Sequence, residues 1–294
     1  MYKINELTFG LDVEGFPSGT FRIAELHGTE ELSQLYNFTL TTVSDLADVT
    51  PDAMLLHGAA VRLSIKGDVV THRGIITGFE AGARSAQHFE YRLTVSPRLW
   101  LLTLNQGSMV YQEKSVPEII AEVLTRNGLQ PDDDFSFSLR CSYPTREYVV
   151  QYQESDLAFL RRWMEYEGIC FLFAHDGPVE RIVFADHPEC HTAITGPAQV
   201  QFRDAREVNP GGEAVGAAHW QEKVTTGRVL LKDYNYRTPG VARQAEAVAA
   251  PGGVGRLYEY GQHFKTPEEG ERLARLRGEE IQANQAGLRG HGSR

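Results

Sequence analysis

The sequence predicts a mainly β protein with an α+β insertion, and three observations carry that reading. Up to about residue 104, short runs of alternating apolar and polar residues are separated by turn residues. Between 146 and 173 the pattern switches to strand, amphipathic helix, strand. After 201 the strand-and-turn pattern returns. The expected division is 1–104 as a first strand-built domain, 105–200 as the α+β region, and 201–294 as a partial second strand-built domain with a terminal helix.

In the first region, Phe21–Leu26, Tyr36–Val43, Ala60–Ile65, Thr71–Phe79 and Phe89–Val95 read as strands, and Phe89–Val95 alternates cleanly. Asp52–Leu56 reads as a short helical excursion. Several short strands joined by turns point to an antiparallel barrel or sandwich.

The middle region opens with Ser115-Val116-Pro117-Glu118, a capping box with proline placed where its missing N–H costs nothing. Ile119, Ile120, Val123 and Leu124 form the apolar stripe, and Gly128 ends the helix. An acidic loop and a strand follow over 130–142. Next, Tyr148, Val150 and Tyr152 alternate with Val149, Gln151 and Gln153, the period of a half-buried strand. Ser155 or Asp156 offers an N-cap oxygen. At about 100° per residue, Leu157, Phe159, Leu160, Trp163 and Met164 fill one arc, opposite Arg161, Arg162 and Glu165. Gly168 suits the left-handed helix end, and Ile169–Phe173 is a continuous apolar strand. Tyr148, Tyr152, Trp163 and Phe171 have core spacing. Glu167 falls inside the apolar arc, so either the helix frays there or the carboxylate meets a buried partner.

In the last region, 226–236 and 241–248 are expected to pair across the Pro239-Gly240 turn. Thr266-Pro267-Glu268-Glu269 starts a helix whose narrow stripe is Leu273, Leu276 and Ala283. Gly287–Arg294 reads as loop, with no closing strand.

Composition narrows the function. The net charge of −10 repels phosphate backbones and anionic lipid, so no nucleic-acid partner is expected. Cys141, Cys170 and Cys190 are an odd set without Cys-x-x-Cys spacing, which favours a reducing compartment over a disulfide framework. Cys141 and Cys170 read as small buried apolar groups. The N-terminus lacks the basic segment and apolar run of a signal peptide, and no stretch reaches the roughly 18 apolar residues that cross a bilayer. Synthesis in the cytoplasm is expected, with any export relying on something else.

The sequence offers one enzymatic alternative, a metal-dependent hydrolase or deaminase using His187, Cys190 and His191. His187-x-Glu189 echoes the zinc deaminases, but that chemistry needs a downstream Pro-Cys-x-x-Cys, and Cys190 is the last cysteine. Pro188 also opposes the helix that would align His187 with His191. Gly252-Gly253-Val254-Gly255 lacks the lysine and the strand-to-helix setting of a phosphate loop, and no Gly-x-Ser-x-Gly appears. No catalytic residue, cofactor site or metal site is expected. A ligand-binding barrel is a third possibility, but the polar groups are scattered rather than convergent.

The segment 146–173 closely resembles the Gln-Tyr-x-Glu-Ser-Asp … Glu-x-Glu-Gly-Ile-x-Phe-x-Phe signature of the VgrG family, the spike proteins of bacterial type VI secretion, which are related to contractile-phage tail hubs. Ser96–Leu102, Ser115–Ile120, Leu231–Tyr236 and the helix around Glu271–Ala274 resemble further family blocks, in family order across nearly the whole chain. Tyr258-Glu259-Tyr260-Gly261 lacks the proline of the family's Tyr-Pro-Gly. The resemblance implies a phage tail-hub-like fold with two tail-tube-like β-barrels, the second incomplete here. It also implies a homotrimer seated on the Hcp tube hexamer, contacts with baseplate, tip and effector proteins, and export through the type VI apparatus. A prophage tail hub is the nearest relative reading. In such proteins the hub region continues into a small oligonucleotide-binding-type barrel and a β-helical needle, so the chain reads as a fragment.

Overall fold

The computed structural model describes residues 7–65, 68–84, 88–191, 199, 201–202 and 214–293. The chain divides into two compact units, Met1–Thr192 and Ala193–Arg294.

Unit 1 begins with six strands, β1 (Leu7–Val13), β2 (Arg22–Thr29), β3 (Asn37–Ser44), β4 (Gly58–Ile65), β5 (Asp68–Arg84) and β6 (Phe89–Ser96). They form one sheet in the order β1-β4-β5-β6-β3-β2, and every pairing is antiparallel. The two outer strands meet at an antiparallel bridge between Leu11 and Phe21, so the sheet curls back on itself. The alternation read from the sequence sets the inner face. Phe38 and Leu40 of β3, Val61 of β4, and Tyr91, Leu93 and Val95 of β6 are buried in one cluster with Leu11, Phe21 and Met54. The helical excursion expected over Asp52–Leu56 is a single 3-10 turn at Pro51–Ala53. β1 went unrecognised in the sequence.

A 3-10 turn over Arg98–Thr103 leads from the barrel wall to β7 (Gln106–Lys114) and α1 (Val116–Arg126). The capping box at Ser115 is formed: the Glu118 carboxylate accepts from Ser115 N at 2.7 Å. Next come β8 (Phe135–Ser138), β9 (Arg146–Ser155), α2 (Asp156–Glu167), β10 (Cys170–Ala174) and β11 (Arg181–Ala185). β7 and β9 make a two-stranded antiparallel ribbon, and β10-β11-β8 make a three-stranded sheet. Ser155 caps α2 by accepting from Ala158 N at 3.1 Å, and Gly168 ends it at φ 76°. Leu157, Phe159, Leu160 and Met164 of α2 pack with Ile120, Val123 and Leu124 of α1 and with Phe171 and Phe184 in a second core.

Several expectations for this region are corrected. Tyr148 and Tyr152 are not core: they are 66% and 68% exposed, and Val149 and Gln151 face inward instead. The pairing of β9 with β7 puts Val149 opposite buried Tyr111, which fixes the parity. Trp163 is only half-buried, its ring lying against the guanidinium groups of Arg146 and Arg162. Cys141 is exposed and Cys170 half-buried.

Unit 2 contains β12 (Gln201–Phe202), β13 (Ala214–Glu222), β14 (Arg228–Asp233), β15 (Arg243–Val248), β16 (Arg256–Tyr260), α3 (Pro267–Ala283) and β17 (Ala286–Ser293). They form two three-stranded sheets, β12-β13-β17 and β15-β14-β16. The β14–β15 hairpin spans the Pro239-Gly240 turn as expected, whereas β14 and β16 run parallel. Thr266 caps α3 by accepting from Glu269 N at 3.2 Å. The buried stripe of α3 is Gly270, Leu273, Ala274 and Gly278, not Leu276 and Ala283. The glycines permit this shift. A Cβ on Gly278 would sit 2.9 Å from Val248 O, so only hydrogen lets α3 approach β15 so closely. The glycine-rich end is not a loop: β17 pairs along the length of β13, from Ala286–Glu222 to Ser293–Ala214. Backbone hydrogen bonds hold it, which is why its side chains gave no strand signal.

Candidate functional site

Within unit 1, the barrel wall and the α+β region share a joint built from residues far apart in sequence. Ser33 N donates to Phe171 O at 3.0 Å, and Phe171 N donates to Ser33 Oγ at 3.2 Å. Phe173 packs on both cores, its ring meeting Tyr36 edge-on at 4.9 Å. Arg98 ties the same region from below. Its backbone N and Nε donate to Glu180 Oε1 at 2.7 and 3.2 Å, and its Nη1 donates to Asp134 Oδ1 at 2.8 Å. Burial pushes the Glu180 carboxyl above its ordinary value, and the Arg98 bonds oppose that rise. Burial would lower the Arg98 value, but Glu180 and Asp134 more than offset it, so the guanidinium stays charged.

The signature segment resolves into framework contacts. Asp156, buried at the start of α2, accepts from Arg126 Nη2 and Asn127 Nδ2, both at 2.8 Å, and from Gln151 Nε2 at 2.9 Å. Its charge also suits the helix N-terminus. Glu154 accepts from Arg162 Nη2 at 2.6 Å. Glu167 has a buried partner: Arg146 Nη2 donates to its Oε1 at 2.6 Å, with the Arg146 guanidinium stacked 5.0 Å from both Trp163 and Tyr166. These residue types at this spacing hold a strand, a helix and a turn together.

The enzymatic candidates do not converge. His187 Nε2 lies 3.1 Å from Ser138 Oγ, and its Nδ1 lies 3.2 Å from Glu189 Oε2. Glu189 in turn pairs with Arg140, and His191 is exposed. Asp186 accepts from Arg140 N, Cys141 N and Tyr143 Oη, which closes the turn ahead of β9. Among the described residues the metal-compatible group is a different one, Glu30, His72 and His175. A shallow groove in unit 2 is lined by Gln221, Lys223, Asn284, Gln285 and Arg289, without a carboxylate, imidazole or thiol.

What the surface does offer is apolar area. On the outer face of the β7–β9 ribbon, Val110 lies opposite Val150, flanked by Tyr148 and Tyr152. On unit 2, Trp220 lies opposite Leu288, each 67% exposed, and Tyr258 and Tyr260 share the exposed face of β16. Patches of this kind are typical of surfaces that meet other proteins.

A curled barrel wall, a framework signature and exposed apolar faces are accompanied by a match to the phage tail baseplate hub (GPD) family over residues 29–294. The chain belongs to that family. Among curated relatives, the type VI secretion system spike proteins VgrG1b and VgrG5 of Pseudomonas aeruginosa are 29% and 32% identical, over 89% and 92% of this chain. The chain spans about a third of their length, 36% and 34% respectively. Among solved structures, the E. coli c3393 protein superposes with a TM-score of 0.61 at 28% identity, covering 73% of this chain and 56% of that one. That protein is described as a component of the type VI secretion system with structural similarity to the T4 bacteriophage tail proteins gp27 and gp5. The resemblance to VgrG spikes and the mainly β, tail-hub-like fold thus hold for this hub-family chain.

The residues that make the joint were missed in the sequence. Arg98 and Glu180 are 82 positions apart, and Arg73 and His175 are 102 apart. No local period links such pairs. The one usable signal was Arg98 itself, a charged residue inside the apolar Ser96–Leu102 block.

Proposed function

We propose that this chain is the hub portion of a type VI secretion spike, working by shape and stiffness rather than catalysis. In that reading residues 1–104 form the first tail-hub barrel, 105–200 the α+β region attached outside it, and 201–294 part of a second barrel. Three copies, each contributing two barrel-like bodies, would present a pseudo-six-fold face to a hexameric Hcp tube. Baseplate, tip and effector proteins complete the list of partners. The protein would be made in the cytoplasm and leave through the type VI apparatus, driven by sheath contraction.

The observation that carries the reading is the family match over 29–294, supported by spike relatives that align over about nine-tenths of the chain. The joint supports it mechanically, because buried ion pairs and backbone pairing between Ser33 and Phe171 resist shear. The test is made in the native host. Deleting the gene should abolish release of the tube protein into the medium, and the full-length protein should sediment as a trimer. Normal tube release, or a stable dimer, would overturn the reading, since two copies with two barrel-like bodies each present four bodies to a ring of six.

A further inference from the structure

Three chemistry-bearing side chains meet at the joint of unit 1. His72 lies on β5, Glu30 directly after β2, and His175 directly after β10. Their potential ligand atoms all lie within 4.8 Å of one another. Glu30 Oε2 is 3.8 Å from His72 Nδ1, and the two imidazole rings are 5.0 Å apart at 69°. Two buried ring nitrogens in this group, His72 Nδ1 and His175 Nε2, have no hydrogen-bond partner. Buried polar atoms are nearly always satisfied, and an orphan points to a missing water or ion. The unpartnered His72 Nδ1, with a second imidazole and a carboxylate within ligand distance, points to an ion.

We propose that Glu30, His72 and His175 form a binding site for zinc or a similar divalent transition metal. Two imidazoles and a carboxylate suit zinc chemically and leave a fourth position open to water. The walls of the site are aromatic. Phe38 stands 4.8 Å from His72, and Tyr36 stands 5.5 Å from His175. A bound ion would tie β5 and the segment after β2 to the strand leaving β10, fastening the barrel to the α+β region.

Two features set the strength of this site. Arg73 N donates to His175 Nδ1 at 3.1 Å, which leaves the proton of a neutral ring on Nε2. A metal must displace that proton, and the ring must turn over or give up the amide. Burial, the neighbouring His72 and the Arg73 guanidinium also oppose added positive charge on His175, and Asp176 only partly offsets them. The need to displace that proton makes the site an exchangeable one, filled when metal is plentiful.

The test uses the full chain, stripped with chelator and titrated with zinc chloride by calorimetry. Cobalt chloride serves as a spectroscopic probe of coordination. One equivalent should bind, cobalt should give the visible bands of a four-coordinate nitrogen and oxygen site, and zinc should raise the melting temperature. His72→Gln, His175→Gln and Glu30→Gln should each weaken binding at least about tenfold, whereas the double variant His187→Gln/His191→Gln should bind like the parent. Glu30 is exposed, so its variant tests the site even where a buried histidine variant misfolds. The proposal fails if the parent binds no zinc, if Glu30→Gln binds as tightly as the parent, or if only the His187/His191 variant loses binding.

Discussion

The two units solve the burial problem differently. Unit 1 holds two apolar cores that include Tyr36, Phe38, Tyr91, Phe135, Phe159, Phe171 and Phe184, and its joint carries buried ion pairs. Among the described residues of unit 2, buried Phe264 is the one aromatic, beside Val229, Leu230, Leu231 and Leu273 and small residues such as Ala245, Ala249, Ala250 and Ala274. Its large aromatic side chains lie outside: Trp220, Tyr234, Tyr236, Tyr258 and Tyr260 are all more than half exposed. A body that buries its aromatics supplies its own stability. One that displays them gains stability when something covers them, and aromatic residues are what protein interfaces enrich. Apart from the Tyr148 and Tyr152 patch on the β7–β9 ribbon, unit 1 thus reads as self-sufficient framework, and unit 2 as the part suited to being covered in an assembly.

The comparison breaks first if unit 1 tolerates loss of its core. Phe159 is fully buried, stacked 5.4 Å from Tyr111 between α2 and the β7–β9 ribbon. Phe159→Ala should cost roughly 3–5 kcal/mol in urea melts, the range for deleting a large buried aromatic. A cost below about 1 kcal/mol would mean that this core is not what holds unit 1 together.

Close approach of α3 is the corresponding point in unit 2. Gly278→Ala places a Cβ against the Val248 carbonyl, an atom that belongs to backbone and yields little. About 1–3 kcal/mol should be lost, despite alanine's better helix propensity. Hydrogen exchange should show the loss confined to α3, β14 and β15. A stabilised variant would show that α3 is loosely docked.

These two positions also show what the sequence could and could not disclose. Phe159 sits in an apolar arc of period 3.6, so its burial was legible, as were the caps at Ser115, Ser155 and Thr266. Gly278 looks like a weak point in a helix until the strand beneath it is known. Tyr148 and Tyr152 alternate correctly, yet alternation does not say which parity faces in. That choice rests on Tyr111 across the ribbon and on the Gln151–Asp156 bond. The Glu30–His72–His175 group and the Arg98–Glu180 pair are assembled wholly by tertiary contact, and periodicity has no access to them.

A pH profile sharpens the framework side. Burial alone would raise the Asp186 carboxyl, but bonds from Cys141 N at 2.7 Å, Arg140 N and Tyr143 Oη outweigh it and hold the value below 3.8. A depressed carboxylate contributes stability that is present above its unfolded value and lost as pH falls through the folded one. Unit 1 should therefore lose stability at acid pH partly through this group, and Asp186→Asn should flatten the dependence of its melts between about pH 5 and pH 2. An unchanged slope would show that the turn before β9 draws nothing from this charge.

The smallest effect on the isolated chain is expected at the surface that defines unit 2. Tyr258 and Tyr260 are 52% and 62% exposed on β16, which runs parallel to β14 and forms one edge of its sheet. An edge strand leaves backbone donors and acceptors unpaired, and here two tyrosines stand beside them. Replacing both with serine removes little that is buried within the chain, so stability should change by no more than about 0.5 kcal/mol. Assembly should respond quite differently. If unit 2 is the covered body, the double variant in the full-length protein should lower the trimer fraction measured by light scattering, or the release of tube protein in the native host. A loss above about 1 kcal/mol in the isolated chain would place these rings inside the fold instead. Unchanged stability together with unchanged assembly would show that exposed aromatics on this edge have no partner, and the contrast between the two units would then rest on core composition alone.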